Sequence, residues 1–243
     1  MSNFSKLTET AEEALCKLSG GTVLDVATGG GGFIDFLMNN LKDYKEITGI
    51  DCHGLRLETA RKSHGQENIH FQLMAAAHMD FPDEHFNTVC IANSLHHMAN
   101  LPGMLSEMRR VCKPGGHFII SEMYRDGQSE TQLTHVLLHH WWAAVDNAQG
   151  IIHFETFTRQ HILELIRENN FINLKYCDEK DLGSDPRDPE LIRELDNIID
   201  RYIQRCQTLS EGEVLCRRGE ELRLRAHKVG FQGASSLFII TKK

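Results

Sequence analysis

The sequence lacks several features that would place it in other classes of protein. No run approaches the roughly 20 apolar residues of a membrane-spanning helix, so we expect no membrane span. The first 18 residues, MSNFSKLTETAEEALCKL, have no apolar core of the signal-peptide kind. The seven cysteines form no C-x-x-C pair, and disulfide frameworks are typical of small secreted chains. We therefore expect reduced thiols and a soluble cytoplasmic protein.

Basic residues are also too few for a protein that holds nucleic acid through charge. The chain has 26 Lys and Arg against 34 Asp and Glu, for a formal net charge of −8. Non-specific nucleic-acid binding needs a basic surface, so the balance disfavours that function. With 41% hydrophobic residues in 243, the chain can still bury an ordinary globular core.

Short apolar runs alternate with helical patterns over the first half of the chain. Strands are predicted at 22–27, 46–51, 69–75, 86–93 and 117–123. Helices are predicted at 5–18, 31–41, 55–64 and 104–112, and KPGG at 113–116 is a turn signal. This alternation is typical of βαβ units and predicts a parallel sheet covered on both faces.

The regular alternation stops after residue 123. Residues 124–157 are polar, aromatic and histidine-rich, and residues 190–228 carry a charged helical pattern. Between and after them, a helix at 159–170, an apolar segment at 171–177 and a strand at 234–243 resume the alternation. We therefore predict one domain over 1–243: an N-terminal helix within 1–19, a core at 20–123, and insertions at 124–157 and 183–230.

A run of four glycines, Gly29 to Gly32, follows the first core strand in VLDVATGGGGFIDFL. Glycine lets backbone N–H groups approach a ligand, so such a loop before a helix is typical of nucleotide-like ligands. Asp51 ends the second core strand, where a carboxylate accepts hydrogen bonds from ribose hydroxyls. Taken alone, the loop leaves open a dinucleotide, S-adenosylmethionine (SAM) or a plain tight turn. The alternative role of Asp51 is to cap the next helix, since Asp is a favoured N-cap residue.

Three further segments carry a family resemblance: GID at 49–51, DFPDEHFNTVCIANSLHHM at 80–98 and RRVCKPGGHFIISE at 109–122. Together with VLDVATGGGGF, they resemble the class I SAM-dependent methyltransferases, and most closely the small-molecule subgroup that includes the ubiquinone/menaquinone C-methyltransferases. The resemblance implies a Rossmann-like α/β fold with seven strands in the order 3-2-1-4-5-7-6, the last antiparallel at 234–243. It also implies a transferase (EC 2.1.1.-) that uses SAM and releases S-adenosylhomocysteine.

The resemblance also implies a set of cofactor-binding residues. In the family, positions matching Asp25, Ala27 and Gly29 line the methionine end, Asp51 binds the ribose and Cys52 lies beside the adenine. Ala27 replaces the first glycine of the usual pattern, as it does in the quinone-type subgroup. Ala75 stands where an acid usually meets the adenine amino group. The complete set is Asp25, Ala27, Thr28, Gly29, Gly31, Asp51, Cys52, Ala75, Ala76 and Asn93.

Two rival functions remain open at this stage. A nicotinamide-dependent oxidoreductase typically has the motif G-x-G-x-x-G. In this sequence Ile34 occupies the position of the third glycine or alanine of that motif. A non-catalytic SAM-binding or partner protein is favoured by the missing acid at Ala75. Methylation of nucleic-acid bases is disfavoured, because ANSLHH stands where D/N-P-P-Y would follow the fourth strand.

His96 and His97 follow the fourth core strand, where the resemblance places the catalytic mouth. An imidazole suits proton removal near neutrality, so either is a candidate base in an in-line transfer to a small aromatic or apolar acceptor. The alternative is that LHHM only packs and positions this segment, because methyl transfer often needs no strong base.

The insertions are predicted to cover the acceptor, with Tyr124, His139 and Trp142 as candidate contacts. His135 and His139 have the i,i+4 spacing of metal ligands, with His140 beside them, but no H-E-x-x-H signature accompanies them. We therefore predict no metal. The helices at 190–228 suit a solvated face or a homodimer interface, and the predicted partner is a small-molecule acceptor.

Overall fold

The computed structural model describes residues 4–169, 171–181 and 183–243, which divide into two compact units. The first unit comprises residues up to Glu122, together with Ile162–Glu179 and Leu237–Lys243. The second comprises Met123–His161 and Lys180–Ser236. These ranges follow the predicted insertions closely, whereas the organisation of 1–243 as one domain stays a prediction.

A single sheet accounts for the strands of the described residues. They are β1 (Phe4–Lys6), β2 (Thr22–Val26), β3 (Glu46–Asp51), β4 (Ile69–Leu73), β5 (Phe86–Ala92), β6 (Cys112–Met123), β7 (Ile172–Glu179) and β8 (Ser236–Lys242). Their order is β1-β7-β8-β6-β5-β2-β3-β4. The pairs β1/β7, β2/β3, β2/β5, β3/β4 and β5/β6 are parallel.

The last strand runs against the others. The Lys243 amide donates to the Gly116 carbonyl early in β6, and the Tyr124 amide, just after β6, donates to the carbonyl of Ser235, just before β8. These two bonds at opposite ends require β6 and β8 to be antiparallel. The Rossmann-like α/β class is thus confirmed. The sheet has eight strands rather than seven, and without β1 the remaining strands follow 3-2-1-4-5-7-6.

The N-terminal segment differs from the helix predicted within 1–19. Phe4–Lys6 is extended and pairs with Leu174–Tyr176, which adds the eighth strand. The helix covers only Ala11–Leu15, because Thr10 and Glu13 form a reciprocal capping box that starts it at Ala11. The predicted KPGG turn also differs: these residues lie within β6, where Gly115 has a φ of 73° and the register with β5 is irregular.

Helices flank the strands in the described part of the chain. They are α1 (Ala11–Leu15), α2 (Gly32–Asn40), α3 (Gly54–Ser63), α4 (Leu101–Val111), α5 (Glu130–Ala148), α6 (Arg159–Glu168), α7 (Pro189–Cys206) and α8 (Gly212–Val229), with a 3-10 turn at Leu95–His97. In the first unit, Val23, Ile47 and Phe238 pack with α2 residues Ile34 and Leu37 in a fully buried core. This core holds the ends of β2 and β3 in place.

The second unit is built from α5, α7 and α8, which share one apolar core. Trp141 on α5 donates its indole N–H to the Leu215 carbonyl of α8 at 2.9 Å. A Cβ on Gly219 would lie 2.4 Å from the Trp141 ring, so glycine allows α8 to approach it. Of all the described helices, none combines the length and apolar character that crossing a membrane requires.

Candidate functional site

The turn from β2 to α2 holds its backbone in conformations that most residues avoid. Ala27, Gly29 and Gly31 have φ values of 57°, 54° and 89°. A Cβ on Gly31 would lie 2.6 Å from Cε1 of the buried His64 ring, so both conformation and space demand glycine there. Ala27 is the exception, a non-glycine residue kept in the left-handed region.

Short hydrogen bonds fix this turn against its neighbours. The Thr28 amide donates to the Ile50 carbonyl of β3 at 2.9 Å, and the Thr28 hydroxyl donates to Asp25 Oδ2 at 2.6 Å. The Gly31 amide donates to the Thr28 carbonyl at 2.9 Å. The turn is therefore a preformed cradle.

Asp25 is a buried carboxylate with one oxygen unused. Its side chain is 1% exposed, and Oδ1 has no hydrogen-bond partner among the described residues. Burial raises the pKa of Asp25 to about 7; the Thr28 hydroxyl opposes this rise and the nearby Asp51 carboxylate adds to it. Such a group favours a cationic, hydrogen-bonding ligand.

Asp51 connects the two strand ends. Its Oδ2 accepts from the Gly29 amide at 2.9 Å, and its Oδ1 accepts from the His53 amide at 2.8 Å. The alternative that Asp51 caps the following helix is wrong, because His53 occupies the N-cap position of α3. A carboxylate has about four acceptor positions; the two amides and the His53 ring nitrogen, 3.3 Å from Oδ1, occupy up to three, and Oδ2 retains one for a hydroxyl donor.

A cavity of about 330 Å³ opens beside this turn. It is lined by Asp25, Ala27, Thr28, Gly32, Phe33, Ala92 and Asn93. Four predicted cofactor residues, Asp25, Ala27, Thr28 and Asn93, thus share one cavity. Asn93, just past β5, has a φ of 45°. The sequence reasoning missed Phe33, for which its place at the start of α2 was the available signal.

The residues predicted to meet the adenine lie along the ends of β3 and β4. Cys52 as a whole residue is exposed, but its thiol is partly shielded from water. This desolvation, followed by the Asp51 charge, raises the pKa of the thiol, so Cys52 is no reactive thiolate. Ala75 is exposed and Ala76 half-buried. The sequence reasoning missed Leu55 and Leu73, which are 80% and 64% exposed; Leu73 pairs with Asp51 in the sheet. The signal available in the sequence was a leucine at the start of a predicted helix and another near the end of a predicted strand.

Asp51, Cys52 and His53 also place ligand-type atoms within 4.8 Å of one another. The His53 ring lies 3.2 Å from Cys52 Sγ and 3.3 Å from Asp51 Oδ1. Because Asp51 already anchors two backbone amides, we assign this group to the β3 turn.

His96 and His97 lie on the 3-10 turn that follows β5, and His96 is held by a buried carboxylate. His96 Nδ1 lies 2.8 Å from Oε1 of Glu122 on β6, and Glu122 Oε2 accepts from the Leu95 amide at 2.8 Å. His96 is 1% exposed and Glu122 is fully buried. The His97 ring lies against His96, with centroids 4.4 Å apart. The sequence reasoning missed Glu122, although ISE in β6 contains it.

The second unit brings several aromatic and histidine rings into contact. The His139 ring lies 5.9 Å from Trp142 and 4.7 Å from His153, between centroids. His135 Nδ1 accepts from the Ala234 amide, and burial lowers the pKa of His135 to about 4. His140 Nε2 lies 2.9 Å from the Thr156 hydroxyl.

Tyr124 also lies in the second unit and is buried there. Its carbonyl accepts from the Gln128 amide group at 2.6 Å. The roles of Tyr124, His139 and Trp142 in acceptor binding stay predictions.

Comparison with known proteins agrees with this geometry. A methyltransferase-domain family model matches residues 24–120. Residues of this chain are 34% identical over 99 positions to the ubiquinone/menaquinone biosynthesis C-methyltransferase UbiE of Desulfotalea psychrophila, covering 41% of this chain and 40% of that one. They are 28% identical over 177 positions to the demethylmenaquinone methyltransferase of Symbiobacterium thermophilum, covering 65% and 70%. Against several other curated relatives, the match spans only 39% to 55% of their length.

A solved structure shares the whole fold. A structure described as a putative methyltransferase from Bacillus halodurans superposes with a TM-score of 0.60 at 19% identity, covering 96% of both chains. In this chain Ile34 is fully buried at the start of α2, where the dinucleotide fingerprint requires a small residue. In its fold and in the sequence of its core, the chain is similar to the class I SAM-dependent methyltransferases and to their small-molecule subgroup.

Proposed function

We propose that this protein transfers a methyl group from SAM to a small apolar or aromatic acceptor. The observation that carries the proposal is Asp25, a buried carboxylate with an unused oxygen on the wall of the cavity beside the glycine turn. The ammonium group of a methionine moiety satisfies that oxygen with a charge-assisted hydrogen bond. A nicotinamide dinucleotide offers no ammonium group for this position.

The rest of the cradle matches the remaining parts of the cofactor. Asp51 Oδ2 retains an acceptor position for a ribose hydroxyl, while the backbone amides of Gly29 and His53 hold the carboxylate in place. Leu55 and Leu73 offer apolar surface to an adenine ring, and they do so without a carboxylate at Ala75. SAM supplies an already activated methyl group. The protein's task is then to hold the acceptor in line and to exclude water.

We propose His96 as the base that removes the acceptor's proton, with Glu122 as its positioning residue. Because the carboxylate accepts at Nδ1, the ring proton resides there and Nε2 carries the lone pair. The Leu95 amide fixes the second Glu122 oxygen, so the carboxylate cannot rotate away. The His97 ring lies against the His96 ring, with the two planes tilted by 45°.

The second unit is proposed to supply the acceptor contacts. His139, Trp142 and Tyr124 would present apolar and aromatic surface to the acceptor, a role that suits rings with one polar edge.

The first test is ligand binding by calorimetry and thermal shift. We expect SAM and S-adenosylhomocysteine to bind and NAD to leave the melting temperature unchanged; saturation to 100 times Kd stabilises by about 2.7 kcal/mol. Asp25→Asn should weaken SAM at least tenfold, and Glu58→Gln, an exposed acid on α3, should not. A shift with NAD alone would overturn the proposal.

The second test uses methyl-labelled SAM with a panel of phenols, quinols and apolar acids. We expect transfer to at least one class. Glu122→Gln should lower kcat by about 10- to 100-fold and displace the acid limb of its pH profile, with SAM affinity unchanged. SAM binding without transfer to any class would favour the non-catalytic alternative. An unchanged pH profile in the Glu122 variant would reduce the His96–Glu122 pair to a structural role.

A further inference from the structure

A second cavity, of about 630 Å³, lies in the first unit away from the glycine turn. Its lining comes from the segment around β1 and α1 and from β6, β7 and β8. It comprises Ser5, Leu7, Glu9, Ala14, Lys17, Leu18, Ser19, His117, Asn173, Lys175, Ile240, Thr241 and Lys242. Cavities of this volume are typical of small-molecule sites in proteins.

This cavity and the glycine turn lie at opposite edges of the sheet. Ser19 precedes β2 and Asn173 is near the start of β7, whereas the turn follows the end of β2. Because β2 has five residues at about 3.3 Å each, the two sites are separated by about 15 Å or more. A ligand here would leave the cofactor cradle open.

The sheet side of the cavity is cationic. Lys175 and Lys242 line it, and in the described ranges neither side chain has a carboxylate within 4.0 Å. Lys17 is also present and pairs with Glu9, so the lining carries three lysines against one acid. Burial and the nearby Lys242 charge lower the pKa of His117, which is therefore neutral at pH 7. In a chain of net charge −8, this is a local excess of positive charge.

The helix side of the cavity is apolar. Leu7, Ala14 and Leu18 line this side, and Ala14 and Leu18 are otherwise buried in the core; Ile240 adds an apolar side chain from β8. Asn173 stands on the wall with a φ of 53°, a conformation that most residues in a strand avoid. Strained backbone is frequent at ligand sites, where the surrounding structure maintains it.

We propose that this cavity binds a small apolar acid, with its tail against Leu7, Leu18 and Ile240 and its carboxylate at Lys175 and Lys242. A neutral apolar molecule would leave both ammonium groups without a counter-charge, and inorganic phosphate would leave the apolar wall uncovered. This proposal does not depend on the proposed methyl transfer, and the two are tested separately.

The experiment is calorimetric titration of the full chain with decanoate, in parallel with 1-decanol and inorganic phosphate. We expect saturable one-to-one binding of decanoate, at least tenfold weaker binding of decanol and no binding of phosphate. Lys175→Gln/Lys242→Gln should weaken decanoate at least tenfold. The matched variant Lys62→Gln/Lys228→Gln, which removes two exposed lysines elsewhere, should change it less than twofold.

SAM binding and the melting temperature of each variant serve as folding controls, and for the two lysine double variants we expect both to stay at the wild-type level. Ala14→Met, which keeps the charge and narrows the apolar side, supplies a second route and should also weaken decanoate. The proposal is overturned if wild-type protein shows no saturable decanoate binding, if decanol binds as well, or if both lysine pairs have the same effect. If wild-type protein bound decanoate but did not bind SAM, that result would count against the proposed function alone.

Discussion

A buried acid near the end of β2 in the first unit and another near the end of α5 in the second differ in their pairing and have opposite pKa shifts. Asp25 has an oxygen without a partner, and burial raises its pKa to about 7. Asp146 on α5 bonds His153 Nδ1 at 2.7 Å with one oxygen and Arg205 with the other. Burial alone would raise the pKa of Asp146, but these two partners outweigh it and lower the pKa.

The difference distinguishes a ligand-binding site from a structural network of paired groups. We call the network of Asp146, His153 and Arg205 the support. Around Asp146 the polar groups are paired locally, and Asn147 also bonds the backbone amide and carbonyl of His153. Around Asp25 the backbone is strained at Ala27, and Oδ1 of the buried Asp25 carboxyl has no hydrogen-bond partner among the described residues. Folding leaves such costs only where something else compensates for them, and a bound ligand is one such compensation.

The largest expected effect concerns the backbone of the glycine turn. Gly31→Ala should destabilise the protein by about 2 to 3 kcal/mol, because it adds left-handed strain and a Cβ 2.6 Å from His64. Gly30→Ala is the matched control: a Cβ there meets nothing within 4 Å, so we expect a change below about 0.5 kcal/mol. Urea unfolding measures both. If the two substitutions lowered the free energy of unfolding equally, the conclusion that the turn is fixed by its backbone conformation would be wrong.

The next effect tests the support in the second unit. Asp146→Asn should cost about 1 to 3 kcal/mol at pH 7, because Arg205 and His153 lose a charged partner. A carboxyl whose pKa is depressed on folding stabilises the protein above its unfolded pKa, and that stability is lost as pH falls through the folded value. The cost measured by urea unfolding should therefore shrink below pH 4. SAM affinity should not change, and a large loss of affinity would break the distinction between support and site.

A smaller effect compares Asp25 with Glu179, at the end of β7. Burial, followed by the Glu12 charge, raises the pKa of Glu179 to about 7 as well. A carboxyl with a raised folded pKa favours the folded state at low pH and loses that stability as pH rises through 7. Asp25→Asn and Glu179→Gln should thus both stabilise the ligand-free protein at pH 8, by about 1 to 2 and about 1 kcal/mol, and neither should do so at pH 4.

Only one of the two substitutions should affect ligand binding. Asp25→Asn should weaken SAM at least tenfold, whereas Glu179→Gln should leave its affinity unchanged, because Glu179 does not line the cofactor cavity. Thermal unfolding at pH 4 and 8, with and without SAM, separates the two outcomes. If both variants lost SAM equally, a raised pKa would reflect burial and carry no information about the site.

The sequence indicated local patterns in both units but not the contacts between residues far apart along the chain. Asp25, Gly31 and Asp51 were singled out because a glycine run and strand-ending carboxylates are local patterns with a physical reason; their roles in cofactor binding stay predictions. The helices of the second unit were also found, from the spacing of Ile192, Leu195 and Ile199. What the sequence did not indicate depends on contacts distant along the chain. Glu122 reaches His96 across 26 positions, and β1 exists because it pairs with β7, about 170 residues later.

The smallest effect is a proton count. At pH 7 about half of the ligand-free molecules hold a proton on Asp25, whose pKa is about 7. An ammonium group placed at Oδ1 favours the ionised form, so SAM binding should release about half a proton per site at this pH. Calorimetric titration in phosphate and Tris, which differ in ionisation enthalpy, measures the release. It should disappear in Asp25→Asn and persist in Glu179→Gln. Proton uptake, or release that persists without Asp25, would place the ammonium group of SAM elsewhere.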